Sequence, residues 1–175
     1  MEKIVVLSCT NRPDSNTLKV SRIYESILKS MGREASILDF SLLPENMAFA
    51  ETFGKRSPAF ASMIGHYISP VQKFIFVAPE YNGSFPGILK TFLESIPPRE
   101  WADKDACLVG VSDGRAGNLR GMDHLTGILN YLKMHVFHNK LPISVIGKVM
   151  DPEGNFIGEE QRRACEQQVQ DFLNC

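Results

Sequence analysis

The chain has 175 residues, 43% of them apolar and 22% charged, a balance that suits one ordinary globular domain, 1–175, with a substantial core. Nineteen basic residues against twenty acidic ones leave a formal charge of −1, which excludes the basic surface that nucleic-acid binding requires. No apolar run approaches the roughly 20 residues of a membrane-spanning helix, and Met1-Glu2-Lys3-Ile4 leads into a strand-like run with no signal-peptide pattern, so a cytoplasmic protein is expected.

Ile4-Val5-Val6-Leu7 is a continuous apolar run, the pattern of a parallel strand covered on both faces. A polar loop, Ser8 to Asn16, follows, and then Leu18, Ile23, Ile27 and Met31 recur at helical spacing up to Gly32. Ala35 to Phe40 reads as a second strand, and residues 41–56 show no clear period. Ser57-Pro58 is a helix start, a capping hydroxyl followed by a proline, and Phe60, Met63, Ile64 and Tyr67 give that helix one apolar face.

Phe74 to Val77 is the third strand. The helix that follows it carries Ile88, Leu89, Phe92, Leu93 and Ile96 and stops at Pro97-Pro98. Ala106 to Val111 is the fourth strand, followed by a helix with Leu119, Met122, Leu125, Ile128, Leu129 and Leu132 on one stripe. Ile143-Ser144-Val145-Ile146 is expected as a fifth strand, Asp151 to Asn155 as a turn, and Cys165, Val169, Phe172 and Leu173 as the apolar face of a last helix. Five strands alternating with five helices predict an α/β three-layer sandwich around a five-stranded parallel sheet, in the doubly wound order 2-1-3-4-5.

In that order strands one, three and four are neighbours, and ligands bind at the carboxyl ends of such strands. Their three loops carry suitable chemistry. The first, Cys9 to Thr17, combines hydroxyls, an amide, Arg12 and the free N–H groups of a helix start, which together suit a phosphate. The second, Pro79-Glu80-Tyr81-Asn82-Gly83-Ser84-Phe85-Pro86-Gly87, offers backbone with little bulk at its Asn-Gly step, a bed for a flat ligand. The third, Ser112 to Asn118, holds Gly114 and Gly117 ahead of a helix.

Other phosphate sites are excluded by residue type. Positions 8–17 contain no glycine, so neither the Gly-x-x-x-x-Gly-Lys-Ser/Thr loop nor the Gly-x-Gly-x-x-Gly fingerprint is present. Arg12 follows Cys9 by only three positions and position 15 is Ser, which cannot wrap a phosphate as a low-molecular-weight tyrosine phosphatase does, so Cys9 is not read as a nucleophile. The four cysteines form no Cys-x-x-Cys pair and read as reduced thiols. His135 and His138 are spaced to reach one metal but lack companion ligands, so no metal site is expected; His66 and His124 read as surface or capping residues.

The three loops together resemble the flavodoxin-like NAD(P)H-dependent FMN reductases. The family's first loop, Gly-Ser-x-Arg and then a Ser/Asn cluster, corresponds to Cys9-Thr10-Asn11-Arg12 and Ser15-Asn16. Its second, Pro-Glu-Tyr-Asn-x-Ser-x-Pro-Gly-x-Leu-Lys, is matched at every fixed position from Pro79 to Lys90. The resemblance implies that Thr10, Arg12, Ser15, Asn16 and Thr17 hold an FMN phosphate. It implies further that Pro79, Glu80, Tyr81, Asn82, Gly83 and Ser84 contact the isoalloxazine, with Ser112, Asp113, Gly114 and Gly117 on its pyrimidine side. Cys9 replaces the usual glycine, and Asp113 brings a carboxylate where glycine is common.

The activity implied is hydride transfer from NADH or NADPH to FMN N5 and then to a small acceptor (flavin, quinone, azo or nitro compound) by a ping-pong mechanism. No catalytic side chain is assigned. A homodimer is also implied, and Tyr81, Phe85 and Trp101 are offered as apolar groups for a partner surface. The rival readings on this fold are a flavodoxin-type electron carrier, against which the charge of −1 argues, and a flavin-free regulatory protein, against which the intact second loop argues.

Overall fold

The apolar runs lie at the centre of a parallel sheet because each is covered on both faces. The computed structural model describes residues 3–175; Met1 and Glu2, read above as the lead into the first strand, lie outside them. Strands β1 (Lys3–Ser8), β3 (Lys73–Pro79) and β4 (Asp105–Val111) are buried almost throughout, whereas β2 (Glu34–Asp39) is only partly buried and forms an edge. The order is β2-β1-β3-β4, with β5 (His135–Val136) and β6 (Leu141–Ile143) both pairing with β4, and all pairings are parallel.

The pleat sorts the core into two halves. Val5, Leu7, Phe74, Phe76, Ala106 and Leu108 pack toward α3 (Pro58–Tyr67), α4 (Gly87–Glu94) and α5 (Leu119–Tyr131). Ile4, Val6, Ile75, Val77, Cys107 and Val109 pack toward α1 (Asn16–Ser30) and α7 (Glu159–Leu173). Successive strand residues face opposite layers, so one strand contributes to both halves. Burying this apolar surface at about 25 cal/mol per Å² is the main force holding the layers together.

Three expectations change. Trp101 is no surface residue: it is fully buried, with its ring 5.6 Å from Phe74 and 6.1 Å from Phe92. The aperiodic stretch after β2 folds as a 3₁₀ turn, Phe40–Leu42, and a single short helix, α2 (Met47–Ala50), which leave Leu42, Phe49 and Phe53 exposed.

The fifth strand also ends sooner than expected, at Ile143. Val145 takes a left-handed conformation (φ 49°) and opens a short helix, α6 (Ile146–Val149). The cause lies in the third loop: Val145 N–H donates to the Gly114 carbonyl and Ile146 N–H to the Ser112 carbonyl, which turns the chain away from the strand path. The outer position of the sheet is therefore shared by β5 and β6. Between them the side chain of Gln168 takes over from a strand, its Nε2 donating to the carbonyls of Leu108 (3.1 Å) and Asn139 (2.8 Å) while its Oε1 accepts from Tyr24 (2.6 Å).

Candidate functional site

At the carboxyl ends of β1, β3 and β4 the three loops enclose a cleft of about 340 Å³, within the range of roughly 300–1,000 Å³ usual for small-molecule sites.

The first loop supplies the start of α1. Ser15 is the N-cap, its Oγ accepting from Leu18 N–H at 3.1 Å, and the hydroxyl therefore fixes the helix start that it lines. Among the described residues the first-turn N–H groups of Asn16 and Thr17 meet no protein acceptor, as expected of a helix N-terminus. Arg12 is exposed beside them. Thr10 sits deeper, fully buried, accepting from Arg12 N–H (3.2 Å) and sharing a 2.7 Å hydrogen bond with the Tyr81 hydroxyl.

Cys9 stays out of the cleft. Its side chain is fully buried in the core, its thiol donates to the Leu7 carbonyl, and burial pushes its pKa well up. A buried thiol of this kind is inert, in keeping with the spacing argument against a nucleophile.

The second loop is anchored by Glu80 N–H donating to the Val111 carbonyl at 2.8 Å. Tyr81 and Ser84 then exchange backbone hydrogen bonds of 2.8 and 3.1 Å around Asn82 (φ 51°) and Gly83 (φ 79°). Two left-handed residues between a bonded pair are what an Asn-Gly step favours. The Ser84 hydroxyl lies 2.9 Å from Nδ1 of His124, an exposed surface residue of α5.

The third loop is folded by its own hydroxyl. Ser112 Oγ donates to the Gly114 carbonyl (2.7 Å) and accepts from Gly117 N–H (3.0 Å). A Cβ on Gly117 would lie 2.4 Å from Cβ of Pro142, so only glycine fits there.

Of the residues expected from sequence, Arg12, Ser15, Asn16, Thr17, Pro79, Glu80, Tyr81, Ser112 and Asp113 meet at the cleft wall. Thr10, Asn82, Gly83, Ser84, Gly114 and Gly117 are not in that wall; they belong to the loops that build it. Pro13, Asp14, Val111 and Ile146 complete the lining and were missed. Ile146 could not have been found from its run, which reads as strand. The lining sets one cation, Arg12, against the carboxylates of Asp14, Glu80 and Asp113, so positive potential is confined to Arg12 and the end of α1.

The model of the family described as NADPH-dependent FMN reductase matches residues 2–146. The chain belongs to that family. An NAD(P)H-dependent FMN reductase of Pseudomonas aeruginosa is 26% identical over 174 residues, covering 97% of this chain and 93% of the relative. A probable NADPH:quinone oxidoreductase of Oryza sativa subsp. japonica is 33% identical over 142 residues, 78% of this chain and 67% of the relative. In structure the chain is similar to the flavoenzyme NAD(P)H:(acceptor) oxidoreductase FerB of Paracoccus denitrificans, with a TM-score of 0.80 at 20% identity over 99% of this chain and 96% of that one. An archaeal flavodoxin superposes with a TM-score of 0.62 at 10% identity, covering 99% of this chain and 97% of its own, which shows a shared fold.

As a member of the FMN reductase family the chain is an oxidoreductase with FMN as cofactor and NAD(P)H as electron donor. Its residues fit that cofactor. The unpaired amides of Asn16 and Thr17 with Arg12 suit a phosphate, and among the described residues the Asn82 and Gly83 N–H groups meet no protein acceptor on the adjoining turn. No group of His, Cys, Asp and Glu among the described residues is arranged to hold a metal ion, and no helix among them is long and apolar enough to cross a membrane.

Proposed function

We propose that the cleft holds FMN with its phosphate on Arg12, Ser15, Asn16 and Thr17 and its ring along Pro79 to Ser84, and that the protein reduces a small quinone-type acceptor with NAD(P)H. The observation that carries this reading is the convergence of the helix-start amides, Arg12 and Pro79 to Tyr81 on one cleft, with the Tyr81–Ser84 turn adjoining it. When bound, FMN supplies the redox chemistry: hydride acceptance at N5 and two-electron delivery to an acceptor. The chain's own work is to bind, to orient and to offer backbone donors. The first-turn amides and Arg12 fix one end of the ligand, and the amides of the second and third loops meet negative charge at the ring. No side chain is assigned as acid or base.

Donor and acceptor share one exposed ring face in this reading, so they take turns, and a ping-pong pattern follows. A homodimer fits the surface beside the site. An apolar groove of about 510 Å³, with Phe53, Leu93, Ile96, Ile128, Tyr131 and Leu132 in its walls, lies next to His124, and Phe53 and Tyr131 are more than four-fifths exposed. A second copy covering that face would remove this apolar area from water. Four cysteines with no disulfide among them suit a reducing, cytoplasmic setting.

The test is a visible spectrum of the purified protein with FMN, followed by anaerobic NADPH or NADH. Bound yellow flavin that bleaches, and recovers on adding a quinone, is the expected result. A protein that ignores FMN overturns the reading, and intersecting rather than parallel double-reciprocal plots overturn the ping-pong order.

A further inference from the structure

Behind the cleft wall, Asn118 joins the second and third loops. It is fully buried and left-handed (φ 63°), and its Nδ2 donates to the carbonyls of Ala78 (3.0 Å) and Pro79 (3.1 Å), the last residues of β3. In return Glu80 Oε2 accepts from the Asn118 backbone N–H at 3.2 Å. Each residue thus binds the other's loop. The pair does for two loops what a reciprocal cap does for one helix end, since Asn118 is also the N-cap of α5, and its own side chain makes no cap bond there.

The surroundings are shaped for this side chain. A Cβ on Gly121 would lie 2.0 Å from Asn118 Oδ1, and a Cβ on Gly110 would lie 3.1 Å from Asn118 Cβ and 2.0 Å from the Gly117 carbonyl. Two glycines leave the volume that Asn118 fills. Asparagine also suits the backbone, because it tolerates the left-handed region better than most residues. Without its amide, the Pro79 carbonyl at the root of the Tyr81–Ser84 turn would lose a donor in a dry environment, where an unmet group is expensive.

We infer that Asn118 is the positioning residue that sets the height and angle of the Pro79–Ser84 bed for a flat ligand, acting through Glu80 and the two β3 carbonyls rather than by touching the ligand. The ligand part of this inference rests on the FMN reading above; the loop part does not. Asn118→Gly keeps the left-handed backbone and removes only the side-chain bonds, so it is the informative variant. Asn118→Asp keeps the size and removes the donor.

The experiment has two arms. Amide hydrogen exchange of the ligand-free protein is expected to speed up by about ten-fold or more at Tyr81 and Ser84 in both variants, with β1 and the N-terminal half of β3 unchanged. Titration with FMN is expected to show about ten-fold weaker binding and a shifted flavin absorption band. Unchanged exchange at Tyr81 and Ser84, or a loss spread evenly over the sheet, overturns the inference. If the native protein fails to bind FMN, the proposed function falls while the exchange arm still decides the role of Asn118. If exchange rises and FMN affinity and spectrum stay the same, the bed is not set by this clamp and the inference is overturned.

Discussion

The hydroxyls of Thr10 and Tyr81 lie 2.7 Å apart, which ties the loop leaving β1 to the loop leaving β3 across the cleft. Thr10 is buried and also accepts from Arg12 N–H, so the phosphate-type loop and the ring bed share one hydrogen-bonded hinge. Tyr81→Phe removes one hydroxyl from this link. It is expected to cost about 0.5–1.5 kcal/mol of stability and to weaken FMN binding several-fold, measured by urea unfolding and by quenching of flavin fluorescence. Unaltered stability and affinity would mean that the bond contributes nothing.

Arg12 tests the phosphate end alone. Its side chain is exposed and is the sole cation among the lining residues. Arg12→Ala is expected to raise the dissociation constant for FMN about ten-fold or more, because a charge-assisted hydrogen bond is worth about 1.5–3 kcal/mol. Riboflavin, which lacks the phosphate, should bind the native and variant proteins alike. Equal weakening for both ligands would remove Arg12 from the phosphate role.

Gln168 tests the fold away from the cleft. Its amide meets Leu108, Asn139 and Tyr24 in the buried gap between β5 and β6. Gln168→Leu strands those groups, and each buried unmet partner costs about 1–3 kcal/mol. A clear fall in the urea midpoint, with FMN affinity retained, is the expected outcome; a stable variant would show that water takes the place of the amide.

The thiols give a pH dependence of known sign. Burial raises Cys165 from an ordinary 9.0 to about 11, and it also raises Cys9, Cys107 and Tyr24. Acids that are harder to ionise in the fold stabilise it fully below their unfolded values, and that stability is lost as pH rises through the folded ones. The urea midpoint should therefore fall between about pH 9 and 11, and Cys165→Ala should flatten part of the slope. Cys175 is the exposed cysteine of the four, so one thiol should react in the native protein and all four in urea.

Much of the layered fold could be read from the chain because its signals are local. Runs such as Ile4 to Leu7 and Phe74 to Val77 are apolar without alternation, which only a strand covered on both faces requires. The Asn82-Gly83 step and the Ser57 cap were legible for the same reason, each being written in adjacent residues. What escaped depends on contacts between distant segments. Val145 leaves the strand path because Gly114 accepts its N–H, and no pattern around Ile143 records that. Trp101 follows two prolines and an exposed turn, and its burial comes from Phe74 and Phe92. Asn118 looks like an ordinary turn residue until β3 is placed beside it. The site was legible in its types of residue, and less so in which of them face the cleft and which build the loops behind it.

The division of the outer strand into β5 and β6 also bears on how copies of this chain can meet. A two-residue strand, a three-residue strand containing Pro142 and an intervening side-chain bond offer no continuous row of donors and acceptors along that side of the sheet. Such interruptions block the edge-to-edge growth that open parallel sheets invite. Strand addition on that side of the sheet is thereby disfavoured, whereas Phe53 and Tyr131 stand exposed at the helix layer of α4 and α5.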